Sequence, residues 1–106
     1  MSTVVIIPTY NELETLPEAV KAVRIAVPDA NILIVDDNSP DGTGAKADAL
    51  ASADPFVHVL HRTEKTGLGD AYLAGFAWAL EHGFEIIVEM DADGSHPASR
   101  LGALIG

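Results

Sequence analysis

Residues 4–12 (VVIIPTYNE) decide the fold, because they join an apolar run to a polar loop in a pattern that the rest of the chain repeats. The run at 4–7 is β-branched throughout, which is typical of a strand buried on both faces of a sheet. Apolar residues then recur at helical spacing: Leu13, Leu16, Val20, Val23 and Val27. They predict a helix that Asn11 caps, with Glu14 as its partner, and that ends at Pro28.

Three further apolar runs follow, at residues 31–35 (NILIV), 56–60 (FVHVL) and 84–88 (FEIIV). Between them, Ser39 is predicted to start an alanine-rich helix and Gly67 to open another. Four strand–helix units with short connections predict an α/β fold, in which a mostly parallel sheet lies between two layers of helices. This is a Rossmann-like three-layer sandwich.

Length and composition narrow the class of protein. The chain has 106 residues, which suits one domain, and the helix-like pattern at 99–106 has no strand after it, so we expect a fragment of a longer fold. The formal charge of -10 would repel polyphosphates, which argues against binding to nucleic acid. The chain has no cysteine, so it forms no disulfide or thiolate site, which fits a cytoplasmic location. We expect neither a signal peptide nor a membrane span, since no basic leader and no run of about 20 apolar residues is present.

Polar segments follow all four predicted strands, at residues 8–12, 36–41, 61–69 and 91–96. In parallel sheets ligands bind beyond the carboxyl ends of the strands. The sequence therefore predicts that these four loops share one edge of the sheet and form the functional site there.

Asp91 and Asp93 are the most informative pair in these loops. They lie two residues apart directly after a predicted strand, so their side chains point to the same side of an extended chain. Like charges this close repel each other unless a cation or proton intervenes, and Mg²⁺ or Mn²⁺ prefers oxygen ligands. A polar turn is the alternative, since Asp and Gly are common in loops. The position after a buried strand favours a metal site.

The first two loops contain further candidates. One carboxylate of the pair Asp36 and Asp37 is predicted to accept hydrogen bonds from a ribose or base, while the alternative is that Asp36 simply caps a helix at Ser39. Tyr10 is placed to cover a base and Glu12 to pair with its donors. The alternative for Glu12 is that it complements the dipole of the following helix.

The remaining polar candidates have two interpretations each. Arg62 and Lys65, with the glycines at 67 and 69, form either a phosphate site or a packing segment with solvated cations. Gly75 is interpreted as a packing position. Glu89 either supports the site beside Asp91 or lies at a solvated strand end. None of the four histidines has zinc-like spacing, so none is predicted as a ligand.

The ordered set of segments at 8–12, 36–43, 67–69 and 90–97 resembles the family-2 glycosyltransferases, most closely the dolichol-phosphate or polyprenol-phosphate mannose synthases. The resemblance covers the whole chain and implies the amino-terminal, nucleotide-sugar-binding part of a GT-A fold, at residues 1–106. It implies a nucleoside site formed by Pro8, Tyr10, Glu12, Val35 and Asp37. It also implies an acidic motif that binds nucleotide and metal, formed by Asp91, Ala92 and Asp93. Ser95 stands where some relatives have a glutamine metal ligand, so that it or a water completes the metal site.

The resemblance also implies a reaction, the inverting transfer of mannose from GDP-mannose to a polyprenyl phosphate at the cytoplasmic face of a membrane. Asp91 and Asp93 would hold catalytic Mg²⁺ or Mn²⁺, and the rest of the catalytic domain would be missing. The alternative is a noncatalytic, receiver-like nucleotide-binding module. Receiver domains place their acidic pair after the first strand, whereas here it follows the second, at Asp36 and Asp37. That difference favours the transferase.

Overall fold

A computed structural model describes residues 3–63 and 68–90 of the chain. Strands and helices alternate strictly along it: β1 (Thr3–Thr9), α1 (Leu16–Ala26), β2 (Asn31–Asp36), α2 (Thr43–Ala53), β3 (Val57–His61), α3 (Leu68–Glu81) and β4 (Ile86–Glu89). The predicted alternation is confirmed. Among the described residues, no helix has the length and apolar character needed to cross a membrane.

The four strands form one parallel sheet in the order β3-β2-β1-β4. Strand β1 lies between β2 and β4, and all seven of its residues are buried, as its β-branched run predicts. The chain moves outward from β1 to β3 and then returns through α3 to the other side of β1. The order therefore reverses between β1 and β4, and this is where ligands bind in open α/β sheets.

The two faces of the sheet have separate cores. The two-helix face, covered by α1 and α2, buries alternate strand residues against helix side chains: Val5, Ile7, Ile32, Ile34, Leu16, Val20, Val23 and Ala47. The one-helix face, covered by α3, buries the other set of strand residues and two alanines: Val4, Ile6, Leu33, Val35, Ala71 and Ala79. The period of two in the strands thus divides each apolar run between the two cores.

Gly75 allows α3 to approach the sheet closely. A Cβ atom at this position would lie 2.8 Å from Cγ2 of Ile6 and 3.4 Å from Cγ2 of Val35. The first distance is well inside van der Waals contact, so no larger side chain fits without movement of the core. This confirms the interpretation of Gly75 as a packing position.

Two predicted helix starts are wrong. Helix α1 begins at Leu16, with Thr15 before it, and Asn11 does not cap it. Helix α2 begins at Thr43 after Gly42, which has a φ of 94°, so Ser39 does not start it. Asn11 has a left-handed φ of 56°, and its N–H donates to the Ser39 hydroxyl. The hydroxyl of Ser39 thus accepts from the first loop and donates to Asp36, so it does not serve a helix end.

An aromatic cluster lies on the one-helix face, near the amino ends of the strands. The indole of Trp78 stacks on His82 with ring centroids 4.0 Å apart, and its centroid is 5.2 Å from that of His58. The Nε2 atom of His58 lies 3.0 Å from Oδ1 of Asn31, the first residue of β2. Burial lowers the pKa of His58, the charge of His82 lowers it further, and Asp54 opposes the change.

Candidate functional site

The carboxyl ends of β1, β2 and β3 lie side by side, because Thr9 pairs with Asp36 and Asp36 with His61 in the register of the sheet. Beyond β4, the N–H of Met90 donates to the carbonyl oxygen of Ile6 at 3.0 Å, so this part of the chain still runs beside β1. The four loops therefore leave the sheet at one edge, as predicted. We call this edge the carboxyl rim.

The last of the four loops lies outside the described residues. The predictions that it carries concern Asp91, Ala92, Asp93 and Ser95, and for these residues they stay predictions. Lys65 and Gly67 also lie outside. Among residues 3–63 and 68–90, no group of three or more His, Asp or Glu side chains is placed to hold a metal ion. The described residues therefore contain no second candidate metal site besides the one predicted at Asp91 and Asp93.

Asp37 is a buried carboxylate at the rim, with 5% of its surface exposed. Its Oδ1 atom accepts a hydrogen bond from Nη1 of Arg62 at 3.0 Å, and the two form an ion pair. The main chain fixes both residues: the N–H of Asp37 donates to Thr9 at 3.0 Å, and that of Arg62 donates to Asp36 at 2.8 Å. A buried charge is tolerated when it is paired in this way. The interpretation of Arg62 as a solvated cation is therefore wrong, since its side chain is paired with Asp37.

Asp36 has a different role from Asp37, although both side chains are buried. Its Oδ1 atom accepts hydrogen bonds from the hydroxyls of Thr9 at 2.8 Å and Ser39 at 2.7 Å. Its Oδ2 atom accepts from the N–H of Ser39 at 3.1 Å. A Cβ atom on Gly44 would lie only 3.1 Å from that oxygen. Asp36 thus accepts hydrogen bonds from Ser39, as the capping alternative predicted. The segment at Ser39 is a loop and not the start of a helix, because α2 begins at Thr43.

Tyr10 and Glu12 lie half-buried in the loop after β1. The Oε1 atom of Glu12 accepts from the N–H of Tyr10 at 3.4 Å, so the side chain folds back toward the rim. The helix-dipole alternative is wrong for Glu12, since the acidic residue in the first turn of α1 is Glu18. Glu12 is left as a candidate for binding, together with Tyr10.

The side chains of Pro8 and Val35 are buried, and the two residues pair in register across β1 and β2. Val35 has no exposed surface and packs in the core of the one-helix face. At the end of β4, Glu89 is exposed, which confirms the alternative of a solvated strand end.

An open pocket of about 400 Å³ lies beside the first loop. It is large enough for a small ligand. The carboxylates of Glu12, Glu14 and Asp41 line it, together with Asn11, Leu13 and Thr15. Hydrogen bonds from the hydroxyl and N–H of Thr43 and from the N–H of Leu13 lower the pKa of Asp41. Negative charge in the lining repels phosphate groups, so this pocket does not suit a diphosphate.

The sequence interpretation missed three residues of the second loop. The N–H groups of residues 11, 12 and 13 donate to side chains of Ser39, Thr43 and Asp41, at 3.0, 3.0 and 3.3 Å. No local pattern would have found them, because these side chains bond to the main chain of another loop and residues 40–41 form a turn, not an extended chain.

Comparison with known proteins gives consistent matches over nearly the whole chain. The profile of glycosyl transferase family 2 matches residues 4–106. An undecaprenyl-phosphate mannosyltransferase of Micrococcus luteus is 58% identical over 105 residues, which are 99% of this chain and 43% of the relative. A polyprenol monophosphomannose synthase of Mycolicibacterium smegmatis is 62% identical over 104 residues, which are 97% of this chain and 39% of the relative.

A solved structure supports the same assignment of the fold. A mannosyltransferase of Pyrobaculum calidifontis, in complex with GDP-Man and Mn²⁺, has a TM-score of 0.76 and 29% identity to this chain. The match covers 97% of this chain and 31% of the other. The parallel sheet with its helices is therefore part of a GT-A fold, which confirms the predicted fold class. The chain spans only 39% to 43% of the length of the two curated relatives.

Proposed function

Because the chain belongs to glycosyl transferase family 2, we propose that it is the donor-binding part of an inverting mannosyltransferase. The enzyme would transfer mannose from GDP-mannose to a polyprenyl phosphate. One observation carries the proposal: Tyr10, Glu12 and the ion-paired Asp37 meet at the carboxyl rim, beside the point where the strand order reverses. The receiver-like alternative does not fit the family.

The nucleoside would bind on the first two loops. Asp37 would accept hydrogen bonds from the base or ribose, and its ion pair with Arg62 at 3.0 Å fixes the direction of the carboxylate. Tyr10 would cover the base and Glu12 would pair with its donors. Pro8 and Val35, both buried at the ends of β1 and β2, would form the floor of the site beneath these loops.

The diphosphate would bind at the loop after β4, which leaves the sheet next to β1 at Met90. Asp91, Ala92 and Asp93 would contact the nucleotide there. The two aspartates, with Ser95 or a water, offer the oxygen donors that Mg²⁺ and Mn²⁺ prefer. A divalent cation bound by them would neutralise charge on the departing diphosphate.

The acceptor would be a polyprenyl phosphate at the membrane surface, bound by a part of the protein beyond these residues. A phosphate monoester has a second pKa of about 6, so its oxygens are already largely ionised at neutral pH. Such a nucleophile needs no strong general base, unlike a sugar hydroxyl. This agrees with Asp36 and Asp41, which accept hydrogen bonds from the protein's own donors, and with Glu12 and Asp37, which are assigned to the nucleoside.

Calorimetric titration of the chain with GDP and GDP-mannose, with and without Mn²⁺, tests the proposal. We expect metal-dependent binding that is lost in Asp93→Ala and retained in Asp29→Ala, which changes an exposed aspartate far from the rim. Parallel titration with UDP and UDP-glucose tests the choice of nucleotide and sugar. The proposal is wrong if Mn²⁺ has no effect on binding and Asp93→Ala behaves as the parent does.

Activity of the isolated chain is a separate question. Since the chain spans about two fifths of its curated relatives, we expect no mannosyl transfer to a polyprenyl phosphate by these 106 residues alone. Measurable transfer in a radiolabelled GDP-mannose assay would contradict the view that the acceptor site lies elsewhere in the protein.

A further inference from the structure

Three consecutive N–H groups in the loop after β1 donate to side chains of the loop after β2. The N–H of Asn11 donates to Oγ of Ser39 at 3.0 Å, and the N–H of Glu12 donates to Oγ1 of Thr43 at 3.0 Å. The N–H of Leu13 donates to Oδ2 of Asp41 at 3.3 Å. We call this set of three hydrogen bonds the loop ladder.

The three acceptors are themselves held in place. The hydroxyl and the N–H of Ser39 both donate to the buried carboxylate of Asp36. The hydroxyl and the N–H of Thr43 both donate to Oδ1 of Asp41, the latter at 3.0 Å. Thr43 is fully buried at the first position of α2, so its hydroxyl has a fixed location. The second loop therefore presents a rigid row of acceptors to the first.

The first loop needs such support because of its conformation. Asn11 has a φ of 56°, a left-handed conformation that is uncommon outside glycine, although asparagine adopts it more readily than most residues. The first turn of α1 begins at Leu16, whose N–H donates to the carbonyl oxygen of Glu12 at 2.9 Å, so the helix holds the carbonyl side of this segment. The loop ladder holds the N–H groups of residues 11–13, and through them the positions of Glu12 and the preceding Tyr10.

We propose that Ser39, Asp41 and Thr43 are positioning residues for nucleoside binding, which act only through the main chain of residues 11–13. This inference rests on the proposed function. Each of the three side chains accepts a hydrogen bond from an N–H of the first loop, so each supports the segment that would contact the donor. Their effect is to hold Tyr10 and Glu12 in the binding geometry before the nucleotide arrives, which lowers the entropy cost of binding.

The charge of Asp41 is consistent with this role. Hydrogen bonds from Thr43, first from its hydroxyl, hold the pKa of Asp41 below its ordinary range. The carboxylate therefore stays an acceptor at neutral pH, both for Thr43 and for the N–H of Leu13.

Thr43→Val tests the inference, since it removes the hydroxyl and keeps the shape of the buried side chain. The amide of Glu12 loses its acceptor, and we expect its hydrogen exchange, measured by NMR, to be faster than in the parent. Loss of one ordering hydrogen bond predicts GDP-mannose affinity weaker by about tenfold. Thr43→Ser, which restores the hydroxyl, should return both values to near those of the parent.

Thr3→Val is the matched control, because it removes a buried threonine hydroxyl at the opposite end of β1. It should leave the exchange of the Glu12 amide and the affinity unchanged. If the parent binds GDP-mannose and Thr43→Val binds it equally well, the inference alone is overturned. If the parent does not bind GDP-mannose, the proposed function fails and the inference fails with it. Equal loss of affinity in Thr3→Val would show a general effect of stability and would also overturn the inference.

Discussion

The two faces of the sheet are packed in opposite ways. On the two-helix face, α1 inserts large branched side chains between the strands: Leu16, Val20 and Val23. On the one-helix face, the fully buried residues among the described side chains of α3 are small and lie at a spacing of four: Ala71, Gly75 and Ala79. The larger Tyr72 and Trp78 are only partly buried against this core. One core is thus filled by helix side chains, and the other is formed by the close approach of a helix backbone. The first should therefore be sensitive to the removal of atoms and the second to their addition.

Removal of atoms from the two-helix face should have the largest effect. Leu16 has no exposed surface, so Leu16→Ala leaves a cavity and should lower the free energy of unfolding by about 2–5 kcal/mol. Urea denaturation followed by circular dichroism measures this. Leu73→Ala is the control, because Leu73 on α3 is 66% exposed and its truncation should change stability by about 0.5 kcal/mol or less. Equal losses in the two variants would contradict the comparison.

Addition of one methyl group to the one-helix face should come next. In Gly75→Ala the new Cβ meets Ile6 at 2.8 Å, and overpacking of this kind costs about 1–3 kcal/mol. Intrinsic helix propensity works in the other direction, since Ala exceeds Gly by about 1 kcal/mol. We expect a net loss of stability in urea denaturation. Ala77→Gly, at an exposed position of the same helix, measures the propensity term alone. A more stable Gly75→Ala would show that α3 is free to move away from the sheet.

The smallest effect on stability should come from lowering the pH, which protonates His58 at the edge of the one-helix face. The pKa of His58 is lowered in the folded chain, first by burial and then by the charge of His82. The unfolded chain therefore binds more protons, and stability is lost as the pH falls through the ordinary histidine value of about 6.5 toward the folded value. Urea denaturation between about pH 8 and pH 5 should show this decrease. In His58→Gln the decrease should be smaller, and an unchanged slope would assign it to other groups.

Much of this fold could be predicted from local pattern. The β-branched runs fix the strands, and short connections through helices make the sheet parallel, which together determine the carboxyl rim. The order β3-β2-β1-β4 was not predicted, because nothing local shows that α3 returns the chain across β1. The helix starts at Asn11 and Ser39 were wrong for a related reason. Asn11 and Ser39 bond to each other across 28 positions, and the two helices begin later, at Leu16 and Thr43.

The sequence identified several residues of the candidate site, but it did not reveal the contacts that hold them. Tyr10, Glu12 and Asp37 were identified from their positions after strands, and the structure brings them to one rim. The ion pair between Asp37 and Arg62 joins residues 25 positions apart, so only the register of β2 and β3 reveals it. The loop ladder was missed because side chains that bond to the main chain of another loop leave no periodic signal of their own.

The position of Trp78 has a practical consequence, since the chain has only one tryptophan. Excitation at the red edge of the absorption band selects this indole over the two tyrosines, so the emission comes from the one-helix face alone. Its stacking on His82 couples the emission to the end of α3 that is farthest from the carboxyl rim. The protein therefore carries an intrinsic optical label that follows the docking of α3. Circular dichroism, by contrast, averages over both layers of helices.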